Sequence, residues 1–169
     1  MIRISFGDGV LDSRAVLDAR AYELLKDNER ALGVRCGHAS IAGRFGELIR
    51  LAAEKCVERT VVLVDEYDKP ILVNITRPEV AREMREGLDN SYSVIKGQDA
   101  HIRFAMPSGV SKFSKVSLFL GLNNLRDIPL TAGYSAICDY TDADVDTVFA
   151  PELPSLDRQQ IRDWYNSYN

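Results

Sequence analysis

The stretch Thr60-Val61-Val62-Leu63-Val64-Asp65-Glu66 decides the fold. Its first five residues are β-branched or apolar without alternation, which is typical of a strand covered on both faces in a parallel sheet. Two carboxylates follow at once, where the strand is predicted to end. The carboxyl ends of parallel strands form the edge at which open α/β sheets bind ligands. The stretch therefore predicts an α/β protein with two acidic side chains at that edge.

The sequence on either side of this strand predicts three helices and two further strands. Alternation over Ile2–Phe6 indicates a strand, and His101–Met106 has the composition of another. Apolar residues at helical spacing predict helices over Ser13–Leu32, Gly43–Cys56 and Thr76–Gly97. The resulting order is strand, helix pair, strand, helix, strand. It predicts a three-layer α/β/α architecture with a mostly parallel sheet, in which the three strands are adjacent.

Capping signals support several of the predicted helix starts. Thr76 and Glu79 have the spacing of a capping box, and Pro78 suits the first turn of the third helix. Thr141 and Asp144 give a weaker acidic cap further along the chain. A last helix is predicted to begin near residue 155. We expect one partial domain over residues 1–169, with an α/β core over 1–107 and a loop and closing helices over 108–169.

Length and charge exclude some classes of protein. The 169 residues amount to about one domain. With 21 basic and 25 acidic residues the net charge is −4, which argues against a chain held on nucleic acid by bulk charge. No apolar run is long enough to span a bilayer, and the N-terminal sequence has no pattern of a secretory signal. We expect no membrane association.

The cysteines and histidines do not have the spacing of a zinc site. Cys36, Cys56 and Cys138 are widely separated, and no C-x-x-C pair is present. His38 and His101 are also far apart in the sequence. The pattern favours reduced thiols in a cytoplasmic protein.

The Asp65-Glu66 pair has two interpretations. In nucleotide hydrolases of the P-loop class, such an aspartate holds Mg²⁺ through its water shell and the adjacent acid polarises the attacking water. The alternative is a buried strand that simply ends in two solvated acids. A nuclease site of the PD-(D/E)-x-K type is disfavoured, because Tyr67 and not an acid lies two residues before Lys69.

A phosphate-binding loop of sequence G-x-x-x-x-G-K-[ST] is not found in these 169 residues. The Gly37–Gly46 stretch has glycines without the Lys-Ser/Thr pair, and Gly109–Lys112 lacks the first glycine. There is also too little sequence before Ile2 to hold the strand that would feed such a loop. We therefore expect the phosphate-binding half of a nucleotide site to be missing.

Three segments resemble the AAA-ATPase-like family of bacterial and archaeal proteins. They are Val61–Ile71 (VVLVDEYDKPI), which resembles a Walker B segment, Gly109–Ile128 (GVSKFSKVSLFLGLNNLRDI) and Trp164–Tyr168 (WYNSY). The second match is the most specific. Full-length members of that family carry an upstream P-loop and often a C-terminal nuclease-like domain. The resemblance therefore implies a truncated P-loop NTPase core that lacks the Walker A motif.

The resemblance implies roles for three residues at the predicted edge. Asp65 is similar to the Mg²⁺-water ligand, and Glu66 to the water-polarising acid. Ser108 stands where family members usually have a threonine that senses the γ-phosphate, and serine can form the same hydrogen bond. Pro107, just before it, departs from the family pattern. The family uses Mg²⁺ and ATP, and we expect this chain alone to bind neither.

Basic residues further along the chain are candidates for phosphate contact by the same resemblance. Lys112, Lys115 and Arg126 are each expected to face phosphate or a neighbouring subunit, although ordinary solvated charge explains them equally well. Ser167 stands where the family usually has glycine, so we expect the lid region to be incomplete.

The resemblance also implies that the outermost strand of the sheet is unpaired on one side. In the usual strand order of this superfamily, the P-loop strand lies beside the third strand, so without it Arg103–Met106 is exposed. Unpaired edges invite pairing with another chain. We predict either a homo-oligomer formed through that edge or capture of the position by Ile128–Thr131.

Two functions remain open at this point. In the first, the chain is a partial AAA-ATPase-like domain with Walker B and sensor segments, unable to hydrolyse ATP without a P-loop. In the second, it is a non-catalytic module that binds protein or nucleic acid through Gly109–Leu130. Nucleic acid enters only by analogy with the family.

Overall fold

The computed structural model describes residues 1–110, 126, 128, 132–134 and 141–165. The chain divides into two compact units, Met1–Leu125 and Arg126–Asn169. The first unit contains the sheet and the acidic edge.

The sheet of the first unit has three described strands, β1 (Ile2–Ser5), β2 (Thr60–Asp65) and β3 (Ile102–Pro107), in the order β1-β2-β3. Both pairings are parallel, with Ser5 opposite Asp65 and Val64 opposite Pro107. The predicted fold class is confirmed. It is a mixed α/β fold with a three-stranded parallel sheet flanked by helices, consistent with an α/β/α core.

Four helices accompany the sheet: α1 (Arg14–Leu32), α2 (Ile41–Cys56), α3 (Lys69–Leu72) and α4 (Pro78–Gly97). Helix α2 begins two residues before its predicted start, because the Ser40 side chain accepts a hydrogen bond from the Gly43 N–H and caps the helix there. Helix α3 was not predicted, since a single turn is too short to show helical periodicity. A short 3₁₀ turn, Asp99–His101, precedes β3.

The capping box predicted for α4 is wrong. The helix begins at Pro78, and its N-cap is Arg77, with no side-chain cap. A box on Thr76 needs Arg77 in helical conformation, but a residue before proline avoids that region. Arg77 has φ −121° and ψ 80°, so proline chemistry sets the start of the helix.

The core lies between the sheet and the helices. Its fully buried side chains come mainly from β1, β2, α1, α2 and α4, and they include Ile2, Leu17, Phe45, Leu48, Val62, Val64, Met84 and Leu88. Burial alternates along β2, because Val61 and Leu63 are only half-buried. The two faces of this strand are therefore covered to different extents, whereas the unbroken apolar run predicted equal cover.

The second unit contains helices α5 (Asp142–Val148) and α6 (Arg158–Tyr165). The predicted cap on α5 is confirmed as a reciprocal capping box, in which Asp144 N–H donates to Thr141 Oγ1 at 3.1 Å. Helix α6 begins at Arg158, because the segment before it, Leu153–Ser155, forms a 3₁₀ turn. No helix in the described part of the chain has the length and apolar character that a membrane crossing requires.

Candidate functional site

The carboxyl edge of the sheet brings two serine side chains together around Asp65. Ser108, directly after β3, donates a hydrogen bond from Oγ to Asp65 Oδ1 at 2.8 Å. Ser5, the last residue of β1, donates from Oγ to Asp65 Oδ2 at 3.3 Å. All three side chains are half-buried. The polar residues at the ends of β1 and β3 thus both contact the carboxylate that ends β2.

Backbone hydrogen bonds hold this arrangement beyond the ends of the strands. Ser108 N–H donates to the Val64 carbonyl at 2.8 Å, and Tyr67 N–H donates to the Ser108 carbonyl at 3.1 Å. On the other side, Phe6 N–H donates to the Asp65 carbonyl at 3.1 Å. The ladder therefore continues one residue past each strand end, which fixes Ser5 and Ser108 beside Asp65.

Glu66 occupies the left-handed region of backbone conformation, with φ 54°. For a residue other than glycine this region costs about 1–2 kcal/mol. The turn is closed by Lys69 N–H, which donates to the Glu66 carbonyl at 3.1 Å. Strained backbone of this kind is concentrated at functional sites, where surrounding contacts hold it in place.

A close backbone approach lies beside this turn. A Cβ atom on Gly109 would overlap Asp68 Oδ1 and would lie 2.9 Å from Tyr67 Cε1, so only glycine fits here without movement. Asp68 is completely buried. Burial, with the nearby charges of Tyr67 and Asp68, raises the pKa of the Tyr92 hydroxyl far above its ordinary value. Gly109 is thus packed directly onto a buried polar layer.

A further link joins α3 to the turn that follows β1. The Lys69 ammonium donates to the Gly7 carbonyl. Gly7 N–H in turn donates to Ser5 Oγ at 3.4 Å. Through these contacts the first turn after β2 is connected to the residue that contacts Asp65 Oδ2.

The predicted site residues fall into three groups. The structure brings Asp65, Glu66 and Ser108 together at one edge of the sheet. Lys112 and Lys115 lie outside the described residues. Arg126 belongs to the second unit, where its guanidinium lies 5.6 Å from the centre of the Tyr134 ring.

Ser5 was missed by the analysis of the sequence. It was taken only as part of a strand, although it is a polar residue where an alternating apolar pattern ends. A polar residue at this point indicates a site residue only when β1 is known to pair with β2, because that pairing places Ser5 opposite Asp65.

The chemistry of the edge fits a hydrated Mg²⁺ ion. Mg²⁺ prefers oxygen ligands and keeps several of its waters, so one or two carboxylates suffice to hold it. Among the described residues, no lysine or arginine pairs with Asp65. The same part of the chain has no group of three or more His, Cys, Asp or Glu side chains placed to enclose a metal. The donor set therefore suits a water-mediated site and not a closed protein cage.

Comparison with known proteins gives a family match over most of the chain. A family model described as "Predicted AAA-ATPase" matches residues 1–119. A relative from Azotobacter chroococcum mcd 1, described as "Uncharacterized protein in vnfD 5'region", is 64% identical over 169 residues, covering 100% of this chain and 33% of that protein. The chain thus spans about a third of the length of this relative. No solved structure matches significantly. On these matches the chain belongs to the AAA-ATPase-like family.

Proposed function

We propose that the edge formed by Asp65, Glu66 and Ser108 is the metal- and water-binding half of an ATP hydrolysis site. In this proposal Val61–Glu66 is a Walker B segment and Ser108 is its sensor. One observation gives the main support for this proposal. The 2.8 Å hydrogen bond from Ser108 to Asp65 joins the ends of adjacent parallel strands, directly beside the left-handed Glu66. Ligands of open α/β sheets bind at this edge.

Each residue has a distinct role in the proposal. Asp65 holds the water shell of Mg²⁺, and the ion when bound offsets negative charge on the phosphates. Glu66 accepts a hydrogen bond from the attacking water and orients it. Ser108 is fixed to β2 through its backbone, which keeps its hydroxyl at the edge where a phosphate would lie.

We propose this chemistry for the complete site and not for these 169 residues alone. They contain no G-x-x-x-x-G-K-[ST] sequence. A phosphate loop supplies several hydrogen bonds to charged oxygens, each contributing about 1.5–3 kcal/mol. We therefore expect the isolated chain to bind ATP too weakly for turnover. A micromolar ATP affinity of the isolated chain, measured by calorimetry, would contradict this part of the proposal.

Binding of Mn²⁺, as a paramagnetic substitute for Mg²⁺, tests the carboxylate directly. We expect no tight Mg²⁺ complex of the isolated chain, but paramagnetic broadening also detects weak binding. Titration into the ¹⁵N-labelled chain should therefore broaden the amide signals of residues 64–66 and 108 before others. Asp65→Asn should abolish this local broadening. Asp99→Asn is the matched control, since Asp99 is an exposed aspartate just before β3, at the opposite edge of the same sheet.

The result distinguishes the two candidate functions. Broadening that centres on Asp65 and disappears in Asp65→Asn supports the half-site. Broadening that is diffuse, or unaffected by the substitution, overturns it and leaves a non-catalytic interaction module as the better description.

We also propose a cytoplasmic location and association through the free edge of β3. Cys36 and Cys56 are both unpaired, which suits a reducing compartment. β3 forms one edge of the described sheet, and its Phe104 side chain is 52% exposed. Most of Ile128–Thr131, the other predicted cover for this edge, lies outside the described residues. The mass of the protein in solution tests the association, and a monomer at high concentration would contradict it.

A further inference from the structure

We infer that Ser5 is a positioning residue for the metal-binding carboxylate, acting on the oxygen of Asp65 that Ser108 does not contact. This inference rests on the proposed metal role of Asp65. It assigns a function to β1, a strand to which neither the sequence motifs nor the family resemblance gave a site residue.

The two serines contact different oxygens of the same carboxylate. Ser108 donates to Asp65 Oδ1 at 2.8 Å, and Ser5 donates to Oδ2 at 3.3 Å. A carboxylate with one contact can still rotate about its last single bond. Contacts to both oxygens, from strands on opposite sides of β2, fix the plane of the carboxylate.

The hydrogen-bonding pattern of Ser5 sets the direction of its proton. A serine hydroxyl has one proton to donate and two lone pairs that accept. Ser5 Oγ accepts from Gly7 N–H at 3.4 Å, so its own proton is left for Asp65. Asp65 is ionised and acceptor-only when it binds a cation, and a hydroxyl donor suits that form.

The position of Ser5 is itself supported from outside the strand. Lys69 donates to the carbonyl of Gly7, the residue whose N–H contacts Ser5. Lys69 follows Asp65 by four residues, so the same segment supplies both the carboxylate and an anchor for its partner. Groups that orient a metal ligand typically change metal affinity about 10–100-fold when removed.

The experiment is an Mn²⁺ titration of the full 169-residue chain, followed by amide line broadening at residues 64–66. We expect Ser5→Ala to raise the midpoint at least about tenfold. Ser5→Thr keeps the hydroxyl and should restore the wild-type midpoint. Ser91→Ala is the control, because Ser91 is a half-buried serine whose hydroxyl contacts only the Gly87 carbonyl of its own helix, at 3.0 Å. Urea unfolding of each variant confirms that it is folded.

Each outcome decides between the two proposals. A raised midpoint in Ser5→Ala, restored in Ser5→Thr and absent in Ser91→Ala, supports the positioning role. An unchanged midpoint in Ser5→Ala, together with loss of binding in Asp65→Asn, overturns the role of Ser5 and leaves the metal site standing. An equal rise in Ser91→Ala shows a general effect of stability and also overturns it. No local broadening in the wild type overturns both.

Discussion

Two carboxylates of the first unit, Glu29 and Asp65, are held in opposite ways. Glu29 is buried and accepts from two cations, Lys26 at 2.8 Å and Arg44. Asp65 is half-buried, and its two oxygens accept from neutral serine hydroxyls. The first carboxylate is paired with cations of its own protein, whereas the second is contacted by uncharged hydroxyl donors.

This difference separates a structural carboxylate from the one that we propose to bind a metal ion. Burial alone would raise the pKa of Glu29, but hydrogen bonds from Lys26 and Arg44 lower it below its usual value. Arg44 also donates to the Cys36 carbonyl at 3.3 Å and lies 4.8 Å from the centre of the Tyr22 ring. The Glu29–Arg44 pair thus joins α1, α2 and the loop between them. Asp65 joins strands, and no lysine or arginine of the described residues pairs with it.

Removing Arg44 should give the largest effect on stability. Arg44→Met leaves Glu29 buried with one of its two cations gone, and breaking such a pair typically costs about 3–5 kcal/mol. The free energy of unfolding in urea measures this. Arg50→Ala is the control, since its pair with Glu54 at 2.8 Å is exposed and should contribute little to stability. Equal losses of unfolding free energy in the two variants would show that the buried Glu29–Arg44 pair stabilises the fold no more than an exposed pair does.

Substitution of Gly109, the residue after Ser108, should give the next largest effect on stability. Gly109→Ala places a methyl group against the Asp68 carboxylate and the Tyr67 ring. Overpacking of this kind costs about 1–3 kcal/mol. Gly97→Ala is the control, because a Cβ at Gly97 meets nothing within 4 Å. If Gly109→Ala unfolds at the same urea concentration as wild type, Gly109 is not held against Asp68 and Tyr67.

Acid should weaken the structural carboxylate by a smaller amount. Because the pKa of Glu29 is lowered in the folded protein, its stabilisation is fully present above the unfolded value, about 4.5. It is lost as the pH falls below 4.5 and through the folded pKa. The difference in unfolding free energy between wild type and Glu29→Gln should therefore be constant at higher pH and shrink as the pH falls below 4.5. A difference that does not shrink there would contradict the lowered pKa.

Much of the fold could be predicted because its signals are local. The apolar run before Asp65 predicted a strand, and apolar spacing predicted helices α1, α2 and α4, since each pattern is contained in one segment. The exceptions also have local causes. At α4 two start signals competed, and the restriction that Pro78 places on Arg77 prevailed over the capping box.

The candidate site was predictable only in part. Asp65 and Glu66 follow from their place at the end of a strand, and Ser108 followed from the family resemblance. The contact from Ser5 depends on which strand lies beside β2, and no local pattern contains that information. The burial of Glu29 could not be predicted either. In the sequence Glu29 resembles any charged residue on an exposed helix, and it is buried only because α1 packs against Arg44.

The smallest predicted effects concern the two residues other than glycine that have positive φ in the described chain, Val57 at 56° and Glu66 at 54°. Val57 lies shortly before β2 in the chain, and Glu66 lies directly after it. Val57 is 89% exposed at the end of α2, so relief of strain in Val57→Gly should add about 0.5–1 kcal/mol to stability, after the entropy that glycine loses on folding.

Glu66→Gly should add a similar amount if the glutamate side chain contributes little to folding. The two gains in unfolding free energy are measured side by side in urea. A matching gain would mean that the strained backbone at Glu66 is retained for what its carboxylate does and not for stability. A loss in Glu66→Gly would instead show that the side chain stabilises the turn, and Glu66 would then belong with Glu29 on the structural side of the comparison.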